Sequence, residues 1–236
     1  MIDQDYIDND PEVLYNKANK SGMLNDFATA FECYIKAAEK GYAPAQCNLG
    51  FCYEKGHGVP HNFVKAVECY RKAADQGFAP AQSNLGWCYE SGYGVEQDFS
   101  KAIQYYLLSA KQGYAPAQGN LGFCFGNGNG VEKDYDKAYE WFTKAAAQGN
   151  VFAQYNIGEC YETGKGVTKD INKAIEWYRK SADRGYAPAQ NHLGYCYENG
   201  VGVQKNLIKA HEWYNCAAIQ GHTAAKKNLD NLKKQS

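Results

Sequence analysis

Apolar residues recur along this chain at helical spacing, and the whole set then recurs with a longer period. Ala45, Leu49, Cys52 and Tyr53 are spaced to fall on one side of a helix that turns about 100° per residue. The same set returns at Ala81, Leu85, Cys88 and Tyr89, and at three further steps of the same length. Copies open at Gly41, Gly77, Gly113, Gly149 and Gly185, always 36 residues apart and without insertion, and Gly221 opens a truncated copy. Self-similarity at a period of about 20–50 residues marks a solenoid, in which each unit buries its apolar face only by stacking on its neighbours.

Each copy predicts helix, loop, helix. Pro44, Pro80, Pro116 and Pro188 stand where the first helix begins, where a missing N–H costs nothing. A Gly-x-Gly pair ends that helix (Gly56/Gly58, Gly92/Gly94, Gly128/Gly130, Gly164/Gly166, Gly200/Gly202), since glycine adopts the left-handed conformation that stops a helix. Asn62, Asp98, Asp134, Asp170 and Asn206, with Asp26 upstream, supply N-caps for the second helix, which the next opening glycine terminates. The Leu-Gly step inside each first helix costs about 1 kcal/mol relative to alanine and implies close approach of a neighbouring backbone. In the last copy Asp230 and Lys233 replace the glycine and the tyrosine, as befits a polar terminal cap. Residues 1–40 are expected to form an N-terminal capping partial repeat. Five full repeats follow at 41–76, 77–112, 113–148, 149–184 and 185–220, and 221–236 forms a C-terminal capping helix.

The composite pattern AQxxLGxCYExGxGVxxDxxKAxEWYxKAAxQG resembles the Sel1-like repeat, a relative of the tetratricopeptide repeat. The resemblance implies an all-α fold, a right-handed α-α solenoid whose first helices line a concave groove. It also implies a non-catalytic scaffold or adaptor that binds a partner protein segment in that groove.

The positions that vary carry what the repetition does not. Four first-helix positions lie opposite the apolar set: the one after Gln, the next, the one after Leu-Gly, and the one before Gly-x-Gly. Asn48, Asn84, Asn120 and Asn156, with His192 in the fifth copy, form one row; Phe51, Trp87, Phe123 and Tyr195 form another, interrupted by Glu159. Asparagine amides suit an extended backbone of any sequence, and exposed aromatics anchor interfaces. The competing expectation is that the aromatics pack on neighbouring helices and the asparagines brace turns. The fourth copy departs most, with Phe152 at the proline site, Tyr155 after Gln, Glu159 in the aromatic row and Lys165 in the loop. Such a break suits a pocket for a basic group, or else reflects drift. Cys47 also faces outward in this scheme. Glu54, Glu90, Glu162 and Glu198 read as a solvated or recognition edge. Cys69, Tyr105, Trp141, Trp177 and Trp213, beside Tyr70, Tyr106, Phe142, Tyr178 and Tyr214, read as inter-helix core.

Composition narrows the function classes. Charge is balanced, 25 basic against 26 acidic residues, so no global field draws the chain to nucleic acid or anionic lipid. No apolar run reaches membrane-spanning length, and the acidic opening MIDQDYIDNDPEV lacks the features of a signal peptide. The expectation is a cytoplasmic monomer, with non-classical export left open. Cys52, Cys88, Cys124, Cys160 and Cys196 recur one per repeat, about 8–10 Å apart if helices stack, too far for the roughly 7 Å limit of a disulfide. They read as free core residues, and Cys52–Cys69 is the one pair within a repeat placed for a bond. GNGNGVEKD lacks Gly-Lys-Ser/Thr, and His57 and His61 bring no third ligand, so no catalytic residue, cofactor or metal is expected. A cysteine-rich branch of the resembled family, associated with penicillin binding or hydrolysis, supplies the enzyme alternative. Its two bonded cysteines per repeat are missing here. A structural or designed repeat without a ligand is the third reading.

Overall fold

The computed structural model describes residues 9–233, with side chains to Leu232. Most of the acidic opening and the Lys233 side chain lie outside the described residues. Thirteen helices and no strand are present among them, so the fold is an all-α solenoid of tandem helical hairpins. The chain divides into two compact units, one ending at Ala117 and the other beginning at Gln118.

The first unit holds α1 (Pro11–Met23), α2 (Phe27–Glu39), α3 (Ala43–Lys55), α4 (Phe63–Asp75), α5 (Ala79–Ser91) and α6 (Phe99–Lys111). The unit boundary falls in the first turn of α7 (Ala115–Asn127). The second unit continues with α8 (Tyr135–Ala147), α9 (Val151–Thr163), α10 (Ile171–Asp183), α11 (Ala187–Asn199), α12 (Leu207–Ile219) and α13 (Thr223–Lys233). Within each unit, helices pack on their neighbours in sequence. Helices of 13 residues are marginal alone, so this packing is what keeps them folded.

Local chemistry sets the ends. The Asp98 side chain accepts from Lys101 N–H at 2.9 Å, and the equivalent bond recurs from Asn62, Asp134 and Asn206. Gly56, Gly92, Gly164 and Gly200 close their helices in the left-handed conformation, at φ 73–76°. Where Phe152 displaces the proline, Asn150 caps α9 by accepting from Ala153 N–H at 2.8 Å, a substitution the sequence reading missed.

The glycine inside each first helix faces a ring foremost, with backbone close behind it. A Cβ at Gly50, Gly86, Gly122, Gly158 or Gly194 would sit 2.5–2.8 Å from Tyr70, Tyr106, Phe142, Tyr178 or Tyr214. That ring comes from the second helix of the same repeat, and the Ala66 and Ala102 carbonyl oxygens also come within 3.1 and 3.2 Å of a Cβ at Gly50 and Gly86, the expected backbone approach. The closest backbone approach is in the loop: at Gly58, Gly94 and Gly166 a Cβ would collide with the carbonyl oxygens of Phe27, Phe63 and Tyr135. Alanine columns (Ala66, Ala102, Ala138, Ala174, Ala210) are at most 2% exposed and let the helices close. The row expected beside the rings is only partly core: Cys69, Tyr105, Trp141, Trp177 and Trp213 are half-buried. Lysines cover two of these indoles, Lys144 over Trp141 at 4.3 Å and Lys180 over Trp177 at 4.1 Å.

A glutamine relay joins repeats, and sequence reasoning did not find it. Gln82 accepts from Gln112 Nε2 at 2.8 Å and donates to the Ala74 carbonyl at 3.4 Å. Gln46 with Gln76 and Gln190 with Gln220 repeat the pattern. Each such glutamine thereby adds a side-chain bond to a carbonyl at the end of the preceding helix that also accepts from the opening glycine of the next repeat. In the fourth repeat Arg184 stands where the donor glutamine should be and donates to Gly149 O at 2.7 Å, leaving buried Gln154 Oε1 without a partner.

Three substitutions should rank in order. Gly94→Ala, which meets a carbonyl at positive φ, should cost most. Gly86→Ala should cost about 1–3 kcal/mol by overpacking the Tyr106 ring. Asp98→Ala should cost about 1 kcal/mol through the lost cap. Urea unfolding of the three variants checks the order.

Candidate functional site

The first helices present their variable positions on one face of each unit. The row after Leu-Gly is open: Phe51, Phe123 and Tyr195 are 43%, 40% and 47% exposed. Trp87 is half-buried, its indole 5.1 Å from the Tyr93 ring and 6.3 Å from Phe63. The sequence placed all four aromatics outward; three are open, and Trp87 is instead half-buried against Tyr93 and Phe63.

The asparagine row is half-buried, and its donors are already in use. Asn48 Nδ2 donates to Asn19 Oδ1 and Tyr34 Oη at 3.3 and 3.2 Å, Asn84 Nδ2 to Cys47 Sγ at 3.6 Å, and Asn156 Nδ2 to Phe152 O at 2.7 Å. Asn120 is half-buried too. Asn48 and Asn84 thus brace neighbouring hairpins, the competing expectation for this row, while Asn156 bonds within its own helix.

The position after Gln does not face outward in the first three repeats. Cys47 and Ser83 are each 4% exposed, and Gly119 is buried. Burial pushes the Cys47 thiol up to about 12. Tyr155, at the same position in the fourth repeat, lies between Tyr178 and Tyr186, at 5.4 and 5.7 Å, and donates to Glu159 Oε1 at 3.1 Å. All nine cysteines are free, including the Cys52–Cys69 pair, and the regular five are buried.

The glutamates are clasps rather than a solvated edge. Tyr70, Tyr106, Tyr178 and Tyr214 donate to Glu54, Glu90, Glu162 and Glu198 at 2.6–2.7 Å. Each bond joins the two helices of one repeat beside the glycine–ring contact. Burial, then the glutamate beside it, holds the Tyr70 and Tyr178 hydroxyls far above their ordinary range. The third repeat lacks both partners: Gly126 stands at the glutamate position and Phe142 at the tyrosine position. A cleft of about 180 Å³ opens there, lined by Gly126, Phe142 and Phe123 on one side and Glu159, Thr163 and Lys165 on the other.

Two carboxylates on α9 are shifted in opposite directions. Burial holds Glu159 above the ordinary 4.5. Glu162 lies below it, held down first by His192 and then by the Tyr178 hydroxyl. His192 Nε2 is 3.1 Å from Glu162 Oε2, an ion pair when the imidazole is protonated, although the ring N–H points off that line. The imidazole also packs on Tyr178, with ring centres 4.2 Å apart.

Six consecutive matches to the Sel1 repeat cover residues 15–42, 43–78, 79–114, 115–150, 151–186 and 187–222. The chain belongs to the Sel1 repeat family. A Sel1 repeat protein from Oxalobacter formigenes is 33% identical, with 92% of this chain and 86% of that chain covered and a TM-score of 0.79. A protective antigen of uropathogenic Escherichia coli with an SLR fold is 31% identical over 97% of this chain, at a TM-score of 0.60; the match spans 58% of that protein's length. An immunity protein from Pseudomonas aeruginosa is 28% identical, with 78% of this chain and 67% of that one covered, at a TM-score of 0.59. No curated protein sequence matches the chain. Sel1 repeats generally act as protein-interaction scaffolds. Among the described residues of this Sel1 protein, no helix is long and apolar enough to cross a membrane.

The opposite carboxylate shifts predict opposite pH profiles. Glu159 is raised, so its ionisation costs stability as pH rises past 4.5, and Glu159→Gln should exceed wild type near pH 7 and match it near pH 3. Glu162 is lowered, so it contributes stability above 4.5 that is lost as pH falls through its folded value. Glu162→Gln should therefore be the less stable variant near pH 7, with the deficit shrinking in acid. Urea midpoints across this range check both signs.

Proposed function

We propose that the chain is a non-catalytic scaffold that holds a segment of a partner protein against the first-helix face of its repeats. The observation that carries this reading is the exposure of Phe51, Phe123 and Tyr195 at one repeat position, each open by 40% or more. A large ring that the core does not cover contributes apolar contact area with only two torsions to fix, which is why aromatics dominate binding energy at interfaces. Surrounding positions are engaged elsewhere: Asn48 and Asn84 bond to the preceding hairpin, Asn156 bonds within its own helix, and the glutamates clasp tyrosines. Side-chain specificity then rests on the aromatic row and on the third and fourth repeats, where that row and the clasp both break. The proposed binding face centres on Phe51, Trp87, Phe123, Glu159, His192 and Tyr195; Asn48, Asn84, Asn120, Tyr155 and Asn156 stand beside it, several of them already bonded within the protein. The chain acts without cofactor, as a cytoplasmic monomer.

A random-peptide phage library panned on the purified chain supplies a defined ligand. Phe123→Ala combined with Tyr195→Ala should weaken the selected peptides about 30-fold or more, as loss of two anchors does, and leave the thermal midpoint nearly unchanged. A collapse of the midpoint would assign both rings to the core, and unchanged affinity would move binding to another face.

A further inference from the structure

The cleft at the third repeat lies where the glutamate–tyrosine clasp is withdrawn. Elsewhere a glutamate of the first helix accepts from the tyrosine hydroxyl of the second at 2.6–2.7 Å. In the third repeat both halves of this bond are replaced together, by Gly126 and Phe142, so no buried polar group is stranded. Nothing mechanical demands the glycine. A Cβ at Gly126 would meet only the Ala138 methyl at 3.6 Å, ordinary contact, and its φ is not positive. A glycine inside a helix costs about 1 kcal/mol relative to alanine. Here the cost opens a space with the Phe142 ring as its floor.

The next repeat aims a carboxylate at that space. Glu159 stands where its sister repeats carry the aromatics Phe51, Trp87, Phe123 and Tyr195. Its Oε1 is held by the Tyr155 hydroxyl at 3.1 Å, which fixes the side chain against the cleft. Lys165 and His192 are near enough to favour its charged form, but the Lys165 side chain is exposed, its ammonium 5.3 Å from the centre of the Tyr135 ring at the rim, where an incoming cation can displace it. At about 180 Å³ the space falls below the roughly 300–1,000 Å³ of small-molecule pockets, and matches a single long side chain. An apolar floor for a methylene stem with a carboxylate at its end is complementary to lysine or arginine.

We infer that this cleft is a specificity pocket that receives one basic side chain of the bound segment, its stem over Phe142 and Phe123 and its charge on Glu159. The inference rests on the scaffold reading and names the chemistry of the residue it selects. It is tested on the full chain with N-acetyl-lysine methylamide, its arginine counterpart and uncharged N-acetyl-norleucine methylamide, following the amide resonances of Gly126 and Glu159 by NMR. One or both basic probes should shift these resonances saturably, with the norleucine probe about tenfold weaker or more. Glu159→Gln should remove that preference. The double variant Gly126→Glu with Phe142→Tyr installs the clasp of the other repeats and so should fold, and it should abolish binding. Equal affinity for lysine and norleucine, persistence of the shifts in the double variant, or no saturable shift with any probe would overturn the pocket.

The peptide library separates the two readings. Peptides retained equally by wild type and the double variant, without lysine or arginine enrichment, would overturn the pocket and leave the scaffold standing. No retained peptide, with saturable binding of a basic probe, would support the pocket and remove the scaffold reading.

Discussion

Each full repeat is held at its waist by an aromatic ring laid against a glycine. A Cβ at any of these five glycines would come within 2.8 Å of the ring, so the helices close to a distance that only a bare Cα permits. The approach explains why the rings are at most 4% exposed despite their size. It also brings the tyrosine hydroxyl to the next turn of the same face of the first helix, where a glutamate four residues after the glycine accepts from it. Alanine columns and the glutamine relay then follow, since helices this close need small neighbours and bring side-chain amides to their terminal carbonyls. In α13, which no second helix follows among the described residues, Asp230 occupies the glycine position.

Because the mechanics claim so many positions, departures come in matched sets. Gly126 with Phe142 removes a donor and an acceptor together. Asn150 takes over the start of α9 as Phe152 displaces the proline, and Phe152 then packs against Phe123 and Phe142. Arg184 is the unmatched case: it finds the Gly149 carbonyl but leaves Gln154 Oε1 alone. The departures gather in the third and fourth repeats, beside the cleft and Glu159. Uniformity elsewhere makes these two repeats the part of the molecule with individual character.

Helix boundaries were legible because their causes are local: proline at the start, glycine at the stop, Asx at the cap. The period and the buried Ala-Leu-Cys set were legible for the same reason. What escaped depends on which neighbour an element meets. A wheel of one helix places Cys47 outward, but Asn84 of the following first helix lies against its sulfur and buries it. The ring against the interior glycine was missed because a lone glycine does not say whether a ring or a backbone faces it. The clasp was nonetheless written in the sequence, as a glutamate and a tyrosine at a constant separation of 16 residues, lost together in the one copy that lacks both. Reading pairs by joint loss, rather than positions singly, would have found it. Phe51, Phe123 and Tyr195 were placed by the wheel because neighbouring helices leave that one position of the outer side largely uncovered.

The thiols give the solenoid a property unrelated to binding. Burial pushes those of Cys88 and Cys196 up to about 12 and those of Cys52 and Cys160 to about 11, so at neutral pH they are protonated and unreactive while their repeats stay closed. Cys216 alone among the nine is exposed. A thiol reagent would therefore label Cys216 first on the intact chain, with half-buried Cys69 next, and adducts at Cys52, Cys88, Cys124, Cys160 or Cys196 would mark a repeat that had opened. Those five regular thiols give the molecule its own ruler for fraying.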